Sequence, residues 1–305
     1  MWALATAAFI VFVLLARPQA PAVIPGVVAP GVTAELVQEG FKFLEGPVGT
    51  ADGGLYFTDI LASQIHRLDP NGQISVLREP SGAANGLAVT RDGDLLAAEM
   101  TGKRVSKRSR DGAVTTVSDS AGGNPYMAPN DLIADARGGI YFTDPGPHPG
   151  APGSTTYVYY LAPGAKEPVV IDDQIVGPNG LTLTSDGKTL IVSDTKGEAV
   201  FAYDIQSDGA AKDKRIFTTL RGIPAGKESL GDGIAVDRDS RLYVTTRTGV
   251  QVFDAKGDYL GTIQVPRRPA NVAFSGPGKR TLYITAVEGL YRVETLATGP
   301  DRLGK

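Results

Sequence analysis

The stretch NDLIADARGGIYFTDP, residues 130–145, contains the pattern that decides the fold. A polar residue, Asn130, is followed by a short apolar run, a turn at Arg137-Gly138 and a second apolar run anchored at Tyr141. Two apolar runs joined by a Gly-containing turn are typical of a β-hairpin. Five further stretches follow the same template, so that the six copies begin at Glu45, Asn85, Asn130, Asn179, Asp232 and Asn271.

The spacing of these copies is that of propeller blades. Successive copies begin 40, 45, 49, 53 and 39 residues apart, within the usual range for four-stranded blades. In all six the turn lies seven residues after the polar position. The units continue into a second hairpin, as at Asn71-Gly72 in the first, which supplies the other two strands of a blade. The sequence therefore predicts an all-β fold, a six-bladed β-propeller.

The last unit lacks one strand of its second hairpin, because it stops after residues 290–294. Residues 34–38 precede Glu45 much as residues 74–78 precede Asn85. We predict that this N-terminal strand completes the sixth blade and closes the ring, which removes exposed sheet edges. The propeller is then expected to span residues 33–298, followed by a C-terminal tail at residues 299–305.

The N-terminus differs in composition from the rest of the chain. Residues 1–16 carry no charged side chain, and Ala20-Pro21-Ala22 matches an A-x-A cleavage site. We predict a signal peptide at residues 1–22; the alternative is an uncleaved membrane anchor, although the apolar run is short for a bilayer core of about 30 Å. A disordered Pro-rich leader is expected at residues 23–32. The protein is expected to be exported to the periplasm or secreted, or membrane-anchored if the segment is retained.

The bulk composition excludes several classes of function. A net charge of −3 without any Lys/Arg run gives no reason to expect a nucleic-acid partner. The chain contains no Cys, so it forms neither disulfides nor zinc–thiolate sites. Neither the G-x-S-x-G nor the H-E-x-x-H motif occurs. The composition leaves the oligomeric state open.

The polar position of each repeat is expected to face the central channel, since the first strand of every blade lines it. All six residues carry a side-chain oxygen, and two of them, Glu45 and Asp232, are carboxylates that would repel each other there. Oxygen-only ligands suit Ca²⁺, so we predict one divalent cation, with Mg²⁺, Mn²⁺ or Zn²⁺ as alternatives to Ca²⁺. The competing interpretation is that Asn and Asp simply start strands after turns. That interpretation does not account for Glu45 or for six copies at one offset.

Several of these segments together resemble one known family. The segments EGP at 45–47, PND at 129–131, YFTDP at 141–145, PNGL at 178–181 and DG at 232–233 are similar to those of the SMP-30/gluconolactonase family of six-bladed propellers. Asn85 and the segment NVAF at 271–274 are similar to the bacterial gluconolactonase branch. The resemblance covers almost the whole chain that follows the leader.

The resemblance implies a sugar lactone hydrolase that holds a divalent cation, usually Ca²⁺, in the channel. Matched by position, Glu45, Asn179 and Asp232 would be metal ligands, and Asp232 would also be the general acid/base. Asn130 would contact both metal and substrate, and Asn85 the substrate. One departure is Ala128, where animal members of the family carry an Arg, so the substrate contact that the Arg would make is not expected here.

Two Gly/Pro-rich loops of the third blade, residues 122–129 and 146–155, are expected to border the pocket. Within them Tyr126 and His148 would offer a flat ring and a hydrogen-bonding group to a sugar-like substrate. The alternative is that both are mobile surface loops. Two other functions remain open: hydrolysis of phosphotriesters or other esters on the same propeller, and a non-catalytic exported binding propeller with structural Ca²⁺.

Overall fold

The computed structural model describes residues 23–146 and 155–302. Short strands dominate it, and the one helical segment within those ranges is a 3₁₀ turn at Pro277–Lys279. In chain order the strands are β1 (Glu35–Glu39), β2 (Leu44–Gly49), β3 (Leu55–Asp59), β4 (Gln64–Leu68), β5 (Ile74–Arg78), β6 (Ala84–Val89), β7 (Leu95–Glu99), β8 (Arg104–Arg108), β9 (Val114–Ser118), β10 (Ser120–Ala121), β11 (Asn124–Pro125), β12 (Leu132–Ala134), β13 (Ile140–Asp144), β14 (Tyr157–Leu161), β15 (Val169–Asp172), β16 (Pro178–Leu183), β17 (Thr189–Asp194), β18 (Ala199–Ile205), β19 (Ala211–Thr219), β20 (Ile234–Val236), β21 (Leu242–Thr246), β22 (Gly249–Phe253), β23 (Tyr259–Ile263), β24 (Asn271–Ser275), β25 (Thr281–Ala286) and β26 (Gly289–Glu294).

The strands form six four-stranded antiparallel sheets, which confirms the predicted six-bladed β-propeller. Blades 1 to 5 are β2–β5, β6–β9, β12–β15, β16–β19 and β20–β23, each in sequence order from the channel outward. Blade 6 has the order β24, β25, β26, β1. A separate small hairpin, β10 with β11, lies in the connection between blades 2 and 3.

The ring is closed by the N-terminal strand, as predicted. Strand β1 pairs antiparallel with β26, with Glu35 opposite Arg292 and Glu39 opposite Gly289. The observed strand begins one residue later than the predicted span of residues 34–38. Because the first and last parts of the chain share one sheet, the blade cannot separate without breaking this pairing.

Six hydrophobic clusters lie between neighbouring blades. Alternate residues of a strand point to opposite faces of its sheet, so each blade contributes side chains to the cluster on either side. Between blades 3 and 4, for example, Tyr141 packs in one cluster with Leu181 and Val192. Between blades 4 and 5 the neighbouring residue Ile191 packs with Ile234 and Val244. This alternation explains why the second strands read as continuous apolar runs.

The prediction of a disordered leader was wrong for residues 24–28. Ile24, Val27 and Val28 are buried and belong to the cluster between blades 5 and 6. The amide of Leu296 also donates a hydrogen bond to the carbonyl oxygen of Val27, at 2.9 Å. A Pro-rich composition is typical of disorder, but these three apolar side chains are ordered because they pack into the hydrophobic cluster between blades 5 and 6.

The C-terminal tail crosses the face opposite the starts of the first strands. The buried guanidinium of Arg302 donates to the carbonyl oxygens of Leu183 (2.7 Å) and Thr184 (2.9 Å), and to Thr182 Oγ1 (3.1 Å). Lys279 Nζ donates to the carbonyl oxygens of Pro300 (2.6 Å) and Arg302 (2.8 Å). The tail therefore links blade 6 to blade 4. No helix within residues 23–146 or 155–302 is long and apolar enough to span a membrane.

Candidate active site

A repeated hydrogen bond between neighbouring blades places the predicted channel residues. In three cases a hydroxyl on the second strand of one blade donates to the backbone carbonyl oxygen of the channel residue in the next blade. The pairs are Thr58 Oγ1 to Asn85 (2.9 Å), Thr143 Oγ1 to Asn179 (2.7 Å) and Ser193 Oγ to Asp232 (2.8 Å). Asn85, Asn179 and Asp232 are thus each held by the blade that precedes them. This explains the Thr or Ser that precedes Asp in the motifs YFTD and VSD.

Five of the six predicted residues line one pocket of about 530 Å³ at the mouth of the channel. They are Glu45, Asn85, Asn130, Asn179 and Asp232. Glu45, Asn85 and Asp232 are buried, and the other two are half-buried. The structure therefore brings together both predicted carboxylates and three of the predicted amides.

The sixth predicted residue, Asn271, is out of register by one position. The residue of blade 6 equivalent to Asp232 is Ala270, whose carbonyl oxygen accepts from Thr245 Oγ1 at 2.7 Å. The backbone agrees, since the Ala270 amide bonds the Thr285 carbonyl oxygen (2.8 Å) as the Asp232 amide bonds that of Thr245 (3.0 Å). The prediction that all six polar residues share one position was therefore wrong for blade 6. The polar residue there occupies the position that holds Gly in blades 1, 2, 4 and 5.

At this position, one residue further along the first strand than the channel residues, Asn271 orients Glu45. Its Nδ2 donates to Glu45 Oε2 at 3.0 Å, and its Oδ1 accepts from the Val272 amide at 2.9 Å. The Gly46 amide donates to the same Glu45 oxygen at 3.0 Å. Two donors on one oxygen fix the rotamer of the carboxylate.

Glycine at this position in most blades follows from crowding around the channel axis. A Cβ on Gly233 would lie 2.0 Å from Asn271 Cγ, and one on Gly86 would lie 2.2 Å from Asp131 Oδ1. At this position blades 6 and 3 carry Asn271 and Asp131 in place of Gly, and these two side chains occupy the space beside the glycines of the neighbouring blades. The NG and DG pairs of the repeat therefore reflect close strand approach, and not a turn.

The Asp residues that end the second strands anchor the loops around the pocket. Asp59 accepts from the amides of Lys42 (2.8 Å) and Phe43 (3.1 Å). Asp144 accepts from the amides of Met127 and Ala128, both at 2.8 Å. Burial raises the pKa of Asp144, although these two backbone hydrogen bonds oppose the shift. The carboxylates of the YFTD motifs are thus structural.

Neighbouring side chains determine which amide atoms are offered to a ligand. Asn179 Nδ2 donates to Thr195 Oγ1 at 2.8 Å, and that hydroxyl donates in turn to the Gly231 carbonyl oxygen at 2.9 Å. This network assigns Asn179 Oδ1 as the group left for a ligand. Asn85 Nδ2 lies 3.7 Å from Met100 Sδ, and Asn85 Oδ1 is buried with no hydrogen-bond partner within the described ranges. A buried acceptor without a donor costs about 1–3 kcal/mol unless a cation or a ligand hydroxyl meets it.

The donor chemistry of the pocket fits a hard cation. Two carboxylates and three amides offer oxygen, the ligand atom that Ca²⁺ prefers. The described residues contain no group of three or more His, Cys, Asp or Glu that could hold a metal. A cation at this site would therefore need the amide oxygens as well as Glu45 and Asp232. His66 lies elsewhere, with its ring 5.2 Å from those of Phe41 and Phe57.

Tyr126 was wrongly predicted to contact substrate. It is buried between blades 2 and 3, where its ring packs on Phe142 and Tyr159. Its Oη lies 2.6 Å from Ser118 Oγ, and burial raises its pKa to about 12. The described pocket lining includes no residue of the loop at 122–129. His148 falls outside the described residues, but Pro145 and Gly146, where the second loop begins, do line the pocket.

The walls of the pocket were not foreseen from the sequence. They are mostly apolar, and two wall residues at the mouth, Leu61 and Val176, are 67% and 60% exposed. Two cationic side chains, Lys196 and Arg268, also line it. These residues lie in connecting loops, which the repeat template does not cover.

Comparison with known proteins assigns the chain to a family. The family model described as the SMP-30/gluconolactonase/LRE-like region matches residues 43–288. The chain belongs to this family. The match includes the five channel residues that line the pocket and spans most of the propeller, from just before β2 to just before β26.

Individual relatives are lactonases by name. The chain is 27% identical over 301 residues to a gluconolactonase of Zymomonas mobilis, covering 87% of this chain and 82% of the relative. It is 28% identical over 254 residues to pentonolactonase XacC of Haloferax volcanii, covering 80% and 81%. The solved structure of a gluconolactonase from Xanthomonas campestris is 27% identical, with a TM-score of 0.78 and coverage of 93% of this chain and 99% of that one.

Proposed function

We propose that this protein hydrolyses a sugar lactone to the open-chain aldonic acid. One observation carries the proposal: two carboxylates and three amides from five blades converge on a single pocket in a chain of the gluconolactonase family. The gluconolactonase and pentonolactonase relatives support sugar lactones as the substrate class. A lactone carbonyl needs an electrophile and a base, and this pocket supplies groups for both.

The cofactor we propose is one divalent cation, Ca²⁺ ahead of Mg²⁺, Mn²⁺ or Zn²⁺. Glu45, Asn130, Asn179 and Asp232 would hold it. The support is the set of carboxylate and amide oxygens that these four residues bring to the described lining, together with the oriented Glu45 carboxylate. Zn²⁺ ranks low because His and Cys, the nitrogen and sulfur ligands it prefers, do not occur in that described lining.

When bound, the cation would polarise the lactone carbonyl and stabilise the oxyanion of the tetrahedral intermediate. The chain performs the proton transfers. The Asp232 carboxylate accepts a proton from water as the water oxygen attacks the carbonyl carbon. It returns that proton to the ring oxygen as the C–O bond of the ring breaks. Asn85 and Asn130 bind ring hydroxyls, and the apolar walls exclude bulk water, which strengthens the electrostatic interactions within.

The apolar walls support a second candidate, hydrolysis of a less polar ester or phosphotriester. A substrate panel separates the two candidates. With the full chain, glucono-δ-lactone hydrolysis above the spontaneous rate should exceed that of phenyl acetate and paraoxon, stop with EDTA and return with Ca²⁺. Faster turnover of either ester would favour the second candidate, and no turnover of any substrate would contradict both.

We also propose that the chain is exported by means of residues 1–22. The position of residues 24–28 supports one orientation of the propeller relative to the N-terminus. These residues pack beside Arg241, which lies in the first hairpin turn of blade 5, on the face opposite the pocket. A retained N-terminal anchor would then leave the pocket facing away from the membrane. Comparing the N-terminal sequence of the exported protein with the full chain tests cleavage after Ala22.

A further inference from the structure

Two cationic side chains line the pocket at its mouth. Lys196 lies in the connection between β17 and β18 of blade 4, and Arg268 lies in the connection that leads into β24 of blade 6. Blade 5, which carries Asp232, lies between them. Both connections are on the face where the first strands begin, so the two charges border the space above the polar floor.

Neither cation is neutralised by a carboxylate of the described chain, since neither Lys196 nor Arg268 takes part in an ion pair there. The segments outside the described ranges contain no Asp or Glu that could supply one. The contrast with the preceding residue is informative, because Arg267 pairs with both Glu39 and Glu288. The mouth of the pocket therefore holds two cations without protein counterions.

The Arg268 side chain packs on an aromatic ring, whereas Lys196 is anchored through its backbone and its side chain is exposed. The Arg268 guanidinium lies over the ring of Phe43, with Cζ 5.8 Å from the ring centroid. The Lys196 amide donates to Asp194 Oδ1 at 3.0 Å, and the Lys196 Cγ lies within 3.2 Å of where a Gly177 Cβ would be. A cation over an aromatic ring in an apolar wall loses water on one side and keeps its donors available on the other.

The charge balance of the pocket then favours an anion. A divalent cation on the floor would offset Glu45 and Asp232, which leaves Lys196 and Arg268 as an excess of two positive charges. A substrate bearing only hydroxyls could accept hydrogen bonds from both but would leave their charges without a counterion. Resting on the proposed lactone hydrolysis, we propose that Lys196 and Arg268 form an anion subsite, and that the preferred substrate is a lactone whose distal end carries a carboxylate or phosphate.

The test compares two lactones that differ only at that end: D-glucono-1,4-lactone, which ends in a hydroxymethyl group, and D-glucaro-1,4-lactone, which ends in a carboxylate. The full chain should show kcat/KM about 10-fold higher for the glucarolactone at low salt, and the preference should shrink as salt screens the charges. Lys196→Ala and Arg268→Ala should each lower the ratio of the two kcat/KM values several-fold. Arg268→Lys should retain more of the ratio than Arg268→Ala.

Matched controls separate a subsite from general charge effects. Arg267→Ala removes the neighbouring, paired Arg, and Lys188→Ala removes a Lys of blade 4, the blade of Lys196, on the opposite face. Both variants should leave the ratio of the two kcat/KM values unchanged.

A binding measurement gives a readout that needs no turnover. Calorimetry should show tighter binding of D-glucarate than of D-gluconate, the same preference as in turnover. Gluconolactone turnover without any glucarolactone preference, or an equal loss for both lactones in the two variants, would overturn the subsite but not the lactonase. Failure to turn over either lactone would overturn the proposed function, and the binding preference would still decide the subsite.

Discussion

Ser193 Oγ, in the second strand of blade 4, donates a hydrogen bond to the backbone carbonyl oxygen of Asp232 in blade 5, at 2.8 Å. The same hydroxyl lies 3.2 Å from the Gly180 carbonyl oxygen of its own blade. The position of the proposed acid/base therefore depends on a residue that does not line the pocket. Equivalent hydroxyls in blades 1, 3 and 5 are those of Thr58, Thr143 and Thr245.

Ser193→Ala should reduce catalysis more than it reduces stability. Loss of one buried hydrogen bond costs about 1 kcal/mol of unfolding free energy, but a small displacement of Asp232 lowers kcat by about 10-fold. KM should change little. Ser193→Thr should restore kcat, since Thr performs this role in three other blades. A lower melting temperature with wild-type kcat would show that the hydroxyl is only structural.

Asn271→Ala should weaken cation binding although Asn271 does not line the described pocket. Its Nδ2 holds Glu45 Oε2 at 3.0 Å, and loss of such an orienting contact typically costs about 10-fold in metal affinity. Calorimetric titration with Ca²⁺ measures this directly. Gly31→Ala, in open space near the N-terminus but at a positive φ of 83°, controls for a general loss of stability. Unchanged Ca²⁺ affinity in Asn271→Ala would contradict the orienting role.

His66 should make the propeller less stable in mild acid. Burial lowers the pKa of His66 below its usual range, and the nearby Asp59 and Glu79 carboxylates oppose that shift. The unfolded chain, with a His pKa of about 6.5, then binds the proton more readily than the folded protein. This contribution to stability is complete above about pH 6.5 and is lost as the pH falls through the folded pKa.

The measurement is the urea midpoint of wild type and His66→Phe at pH 7.5 and pH 5. Other titrating groups are common to both proteins, so the difference isolates His66. Phe suits a site between Phe41 and Phe57, and the variant should lose less stability in acid than wild type. Equal losses in the two proteins would contradict this account.

Arg302→Ala should destabilise the protein by about 2–4 kcal/mol, because it removes three hydrogen bonds that join the tail to blade 4. Arg238→Ala is the matched control in the same region. Arg238 pairs with Asp301, but both side chains are exposed, at 55% and 84%, so that variant should change stability by less than about 1 kcal/mol. Denaturant unfolding compares the two, and similar small losses would show that the tail does not support the ring.

The blades, five of the channel residues and the ring closure could be predicted from the sequence because the hairpin pattern repeats. The hairpin pattern after Asn130 recurs often enough to define both the blades and the five pocket residues, and the unpaired last strand predicts closure by β1. The register of blade 6 was not readable, because Asn271 and Ala270 are adjacent and only the backbone bonding distinguishes them. Tyr126 was misassigned for a related reason, since a loop tyrosine can face a pocket or a neighbouring blade. The sequence did not indicate that Lys196 and Arg268 line the pocket, because they lie in connecting loops whose sequences are not repeated from blade to blade.

Asp232 is proposed to carry the proton transfers of lactone hydrolysis, and the kcat of Asp232→Asn on glucono-δ-lactone measures that role. Because Asp232 is also a proposed cation ligand, the rate must be measured at saturating Ca²⁺, with folding confirmed by circular dichroism. We expect a loss of about 10²-fold or more in kcat that excess Ca²⁺ does not restore. A variant that regains wild-type kcat under excess Ca²⁺ would contradict it.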